Sequence, residues 1–144
     1  MFTICDLLDS LRTAIEAVAV TDPASEDDRF RCFMPTAQVS RGSRATLVSA
    51  STPSPIRPGR TCFEYQTTIT LITAYATGAP EAGQRSPFER ALLDCESVSA
   101  AVSTWAALTD GVLSHEQSEG SIEDNGDGWV AAERTITVRY NRGA

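Results

Sequence analysis

The chain of 144 residues carries one histidine, four cysteines, nineteen acids and twelve basic residues, every one of them arginine. Without lysine there is no Schiff-base nucleophile and no P-loop ammonium. With a single histidine, His115, there is no two-histidine metal site. His115 could serve as a general base, but it lies in Leu113-Ser114-His115-Glu116, a stretch of alternating polarity expected to turn it to solvent. No G-x-S-x-G elbow supplies a nucleophile. The cysteines (Cys5, Cys32, Cys62, Cys95) are 27, 30 and 33 residues apart, too far for a zinc knuckle or a C-x-x-C pair. Cys5 and Cys95 fall on apolar helical stripes, so four reduced, mostly buried thiols and a reducing cytosol of origin are expected.

The acids invite two further readings. Glu123-Asp124-Asn125-Gly126-Asp127-Gly128 resembles the start of a calcium loop, but the twelfth position, where a bidentate Glu belongs, is Arg134. A Gly-rich hairpin turn between the last two strands is the expected structure there. Paired carboxylates could hydrolyse glycosides at the right separation, yet nineteen acids make adjacent pairs unavoidable, and Asp27-Asp28 and Glu123-Asp124 sit in expected loops. Neither Gly42-Ser43-Arg44 nor Gly126-Asp127-Gly128 has the spacing of a phosphate cradle. No catalytic residue, cofactor site or metal site is expected.

Charge is sorted along the chain. The net charge is −7, yet Arg29 to Phe63 holds six arginines (29, 31, 41, 44, 57 and 60) and no acid. Phosphate contacts are one possible use. No aromatic residue lies between Met34 and Arg60, so a salt-bridging interface with an acidic neighbour, including another copy of this chain, is the stronger reading.

The elements that would position these groups are legible from periodicity. Ile4, Leu7, Leu8, Leu11, Ile15 and Val18 form a helical stripe. Thr3 and Asp6 are placed for a capping box, Arg12 and Glu16 for an i,i+4 pair, and Pro23 for an end near Thr21-Asp22. A short strand is expected over 29–33, then an irregular Pro/Arg-rich segment over 34–60, interrupted by a brief strand from Ala45 to Ala50. Residues 62–76 alternate, with Phe63, Tyr65, Ile69, Leu71 and Tyr75 inward. Ser86-Pro87-Phe88-Glu89 caps a second helix, whose apolar face is read as Phe88, Ala91, Leu92, Cys95, Val98, Val102, Trp105 and Leu108, with Gly111 closing it. Strands are expected over 112–117 and 129–140. No apolar run approaches 18 residues and the first residues lack a basic n-region, so no membrane span or signal peptide is expected. The expected fold is one two-layer α+β domain over 1–144, a mainly antiparallel or mixed sheet with both amphipathic helices on one face.

In this order of elements the chain resembles the tail terminator (tail completion) proteins of long-tailed bacteriophages. The likeness rests on the N-terminal helix, the segment from Met34 to Arg60, the long strand from Phe63 to Tyr75, the capped helix from Pro87 to Leu108 and the closing strand from Trp129 to Tyr140. The resemblance implies a non-enzymatic virion protein, assembled in the host cytoplasm. It implies a homohexameric ring on the last ring of the tail tube, which stops tube growth and offers a docking surface to the head. Its partners would be further copies of itself, the tail tube protein and the head-tail connector or stopper, with genomic DNA only as passing cargo and no membrane. A ring needs unlike patches that meet head to tail, and an anionic wall would let DNA slide. Arg41, Arg44, Arg57 and Arg60 are expected at subunit or tube contacts. Two alternatives remain open: a head-tail connector or neck adaptor, and a small carboxylate-dependent hydrolase or ligand-binding domain.

Overall fold

The structure, a computed structural model, describes residues 1–23, 28–33, 44–57, 63–76, 85–118, 120–124 and 129–143. Its elements run α1 (Ile4–Glu16), β1 (Arg31–Phe33), β2 (Ala45–Ala50), β3 (Ser54–Pro55), β4 (Glu64–Ala76), α2 (Pro87–Leu108), β5 (Val112–Gln117), β6 (Ser121–Asp124) and β7 (Trp129–Asn141). The fold is α+β: a mixed sheet in the order β1-β2-β4-β7-β5, with β3 on β4 and β6 on β7. Only β1 and β2 are parallel.

Helix α1 begins as its residues demand. Thr3 accepts from Asp6 N while the Asp6 carboxylate accepts from Thr3 N at 2.8 Å, satisfying two end donors reciprocally. That bond to Thr3 N, and then the Thr3 hydroxyl, hold the Asp6 carboxyl below its usual range. The helix stops at Glu16, before the expected proline boundary. The expected Arg12–Glu16 pair is replaced: Arg12 bonds Asp9 at 2.9 Å, and Glu16 reaches β1 instead.

The sheet is built around one long antiparallel pair. β4 and β7 match over their full lengths, from Glu64 against Asn141 to Ala76 against Trp129. Alternation then assigns the faces. Thr67, Ile69, Leu71, Thr73 and Tyr75 of β4 lie beneath the helices with Val130, Ile136, Val138 and Tyr140 of β7, all buried. Leu7, Leu11 and Ile15 of α1, and Val102, Trp105 and Ala106 of α2, close the main core over Ile69, Leu71, Ile136, Val138 and Tyr140. Ala91 of α2 closes a smaller one over Tyr75 and Val130. Trp105 Nε1 donates to Ser10 Oγ at 2.8 Å, fastening the two helices together. The opposite face, with Thr68, Thr70, Thr135 and Thr137 at its centre, carries no helix among the described residues.

Each outer strand breaks in the same way. β2 and β3 both pair with β4 and are interrupted at 51–53; β5 and β6 both pair with β7, β5 ending at Gln117 and β6 beginning at Ser121. At each break a serine replaces the missing partner. Ser51 N donates to Thr68 O, and Ser51 Oγ accepts from Thr68 N at 2.9 Å. Ser118 N donates to Thr135 O, and Ser118 Oγ accepts from Thr135 N at 3.0 Å. A hydroxyl thus satisfies a ladder donor that the break would orphan.

Helix α2 starts at Ser86, whose hydroxyl accepts from Glu89 N at 3.2 Å, with Pro87 in the first turn. Its buried face is rotated from the expected stripe: Arg90, Ala91, Asp94, Val102, Trp105 and Ala106 are buried, whereas Phe88, Leu92 and Leu108 are exposed. The face turned to the sheet thus carries two charged residues, Arg90 and Asp94, which an apolar stripe does not include. Phe63, also expected inward, precedes β4 and is exposed. Thr109 ends α2 rather than Gly111. Gly111 instead admits the Phe2 ring, which a Cβ there would overlap.

Candidate functional site

The strongest concentration of polar chemistry is a buried cluster centred on Arg44. This residue stands where β2 begins, with its side chain 0% exposed. Its backbone joins two strands: its N–H donates to Ala74 O at 2.8 Å and its carbonyl accepts from Arg31 N at 3.2 Å. Its φ is 61°, a left-handed conformation that costs a side-chain-bearing residue about 1–2 kcal/mol. The side chain offsets that cost. Arg44 Nε donates to Asp94 Oδ2 of α2 at 2.8 Å, Nη1 to Asp28 Oδ2, and Nη2 to Asp22 O at 3.1 Å. Tyr75 Oη donates to the same Asp94 oxygen at 2.5 Å, and the guanidinium lies 5.7 Å from the Tyr75 ring centre. Arg90, also buried, stands 3.7 Å from the Asp22 carboxylate.

Burial alone would lower the Arg44 pKa, but Asp94 and Asp28 outweigh it and raise the value. Burial, and then the Asp94 charge, push the Tyr75 phenol well above its ordinary range. The cluster is therefore a cation held between two carboxylates, with a neutral phenol donating. A buried ion pair repays desolvation only when its remaining donors and acceptors are met. Arg44 and Asp94 find theirs in α2, the segment after α1, and β4, whereas Arg90 Nε and Asp22 Oδ2 beside them, 3.7 Å apart, make no hydrogen bond among the described residues. The Arg44 bonds lock the entry to β2 against α2 and the segment between α1 and β1. The cavity beside it, lined by Leu71, Tyr75, Asp94, Cys95 and Arg134 among others, measures about 30 Å³. That is room for about one water, where small-molecule sites need roughly 300–1,000 Å³.

These positions correct several expectations. Arg44 was expected at a subunit or tube contact; it is enclosed, and its charge is consumed within the fold. Arg57 is exposed. Arg41 and Arg60 lie outside the described residues, as do Cys62, Glu26, Asp27 and the loop 125–128. Asp28, read as a solvated loop acid, belongs to the cluster. His115 is half-buried rather than exposed, paired with the buried Val138. It borders an open groove of about 410 Å³ with Gln66, Ser114, Glu116, Thr137 and Arg139, in which Glu116 is the one carboxylate among the described residues. Cys5 is exposed rather than buried; Cys32 and Cys95 are half-buried, and all three are free thiols. Arg134, which stands where a calcium ligand would be needed, donates to Gln117 Oε1 at 2.9 Å and Cys95 O at 3.1 Å, tying β5 and β7 to α2.

The cluster could have been sought in the sequence through Asp94. It lies three residues after Ala91 and four before Val98, so helical geometry puts it on their face, and a carboxylate there calls for a buried partner. Nothing in the sequence names Arg44 as that partner. No family model matches the chain, and no curated protein matches it.

Proposed function

We infer that this chain is a structural assembly protein, and that its role is that of a tail terminator: a hexameric ring at the head-proximal end of a phage tail tube. Such a ring would end tube polymerisation and present the docking surface for the head. The observation that carries the reading is the disposal of charge. The buried ions Arg44, Asp28 and Asp94 engage one another inside the fold, while a threonine-rich sheet face carries no helix among the described residues. Surfaces of this kind suit stacking and ring closure, with stability secured internally.

The order of elements that carries the resemblance, N-terminal helix, long strand, capped helix and closing strand, supports the reading. Other copies of this chain, the tail tube protein and the connector are the partners this role requires, with DNA as passing cargo. The hydrolase alternative needs a pair of carboxylates converging in a pocket that admits a substrate. Among the described residues the groove beside His115 is lined by one carboxylate, Glu116, and the cavity that Asp94 and Glu133 share, about 30 Å³, holds about one water. The reading is tested by incubating gold-labelled protein with purified tail tubes. Labels confined to one tube end support it; labels along the walls, or none, count against it.

A further inference from the structure

The sheet ends in two edges of opposite charge, and they are built differently. At one end, Arg29 and Arg31 are exposed beside and on β1. Arg31 N is turned towards β2, so the N–H of Cys32 points away from the sheet. That outward donor is already taken: Cys32 N donates to Glu16 Oε1 at 3.0 Å. A bond from α1 thus blunts this edge against strand addition. At the other end, no strand pairs with the outer side of β5 or β6 among the described residues. Glu116 and Glu123 are exposed there. None of the ion pairs among the described residues engages Arg29, Arg31, Glu116 or Glu123.

Charge then decides which contacts between copies are allowed. Two acidic edges brought together would oppose glutamates across the junction, and two basic edges would oppose arginines. Both two-fold pairings are disfavoured, whereas the unlike pairing is attractive. Repeating an unlike contact gives a head-to-tail assembly that closes into a ring when the rotation permits. The acidic edge is also held rigid from behind. Gln117 donates to Ser99 O and Ser103 Oγ of α2, both at 3.1 Å, and accepts from Arg134, so little order must be gained on binding.

We propose that the β5–β6 edge, through Glu116 and Glu123, receives the β1 edge of a second copy of this chain, through Arg29 and Arg31. The contact is made by side-chain charge rather than by a continuous strand ladder, because Glu16 occupies the donor a ladder would use. This rests on the ring reading above and names the surfaces that close the ring.

The test is the solution mass of the full chain by light scattering, at about 50 mM and about 500 mM salt. The wild type is expected near six times the 15.5 kDa protomer at low salt, shifting towards the protomer at high salt. Arg29→Glu with Arg31→Glu should give protomers, and so should Glu116→Arg with Glu123→Arg, with unchanged melting temperatures because all four side chains are exposed. Mixing these two variants should restore the oligomer, as should a chain carrying all four changes. An oligomer indifferent to either reversal would overturn the edge assignment and leave the ring standing. A wild type that is a protomer at every concentration would overturn both.

Discussion

Asp94 is one carboxylate on the buried face of a helix, and it accepts from both Arg44 and Tyr75. Its removal leaves a buried guanidinium short of a partner, a change that costs about 3–5 kcal/mol where buried pairs are broken from one side. Asp94→Ala should lose that much in urea unfolding, and Tyr75→Phe less; equal, small losses would mean the cluster does not hold the fold. The cysteines give a second expectation. Burial, and then the Glu16 carboxylate, push the Cys32 thiol up to about 12, with Arg12 acting in the opposite direction. Alkylation at about pH 8 should therefore label the exposed Cys5 well before Cys32, read by peptide mass. The raised value also has a sign for stability: the contribution is full below the ordinary thiol pKa of 9.0 and is lost as pH rises from there towards about 12. Little of this was legible in the sequence. A fully buried arginine with φ of 61° carries no pattern of its own, because its partners are 16 and 50 residues away.

Helices and long strands were far more legible, because their signals are local. The capping residues Thr3 and Ser86, the strand from Ala45 to Ala50 and the alternation in β4 and β7 all stand where periodicity placed them. β3 and β6 were not read, since two and four residues carry no period, and the serines that manage the breaks beside them look like ordinary loop residues. The rotation of α2 was missed for a related reason: counting Phe88, Leu92 and Leu108 as inward ignored the charged residues Arg90 and Asp94 on the buried face. Two substitutions test the elements. Thr3→Ala should cost about 1 kcal/mol through loss of the α1 cap, seen as a lower urea midpoint. Glu16→Ala should speed amide exchange at Cys32, whose N–H would lose its acceptor, while leaving exchange in the β4–β7 pair unchanged. Equal exchange before and after would show that Glu16 does not guard the β1 edge.

At the scale of the whole molecule, the segregation of charge in the sequence has two outcomes in the fold. Part of it is drawn inside, where Arg44 meets Asp28 and Asp94; part stays at the sheet edges, where Arg29 and Arg31 stand opposite Glu116 and Glu123. The sequence showed the excess of arginine over 29–63 but not this division, because burial is decided by contacts between segments distant in the chain. The polar sheet face and the unlike edges favour a protein whose work is done by fitting against others. If that work is ending a tail tube, as proposed above, particles assembled without the chain lose the limit on tail length. Electron micrographs should then show overlong, headless tails. Tails of normal length carrying heads would contradict that role.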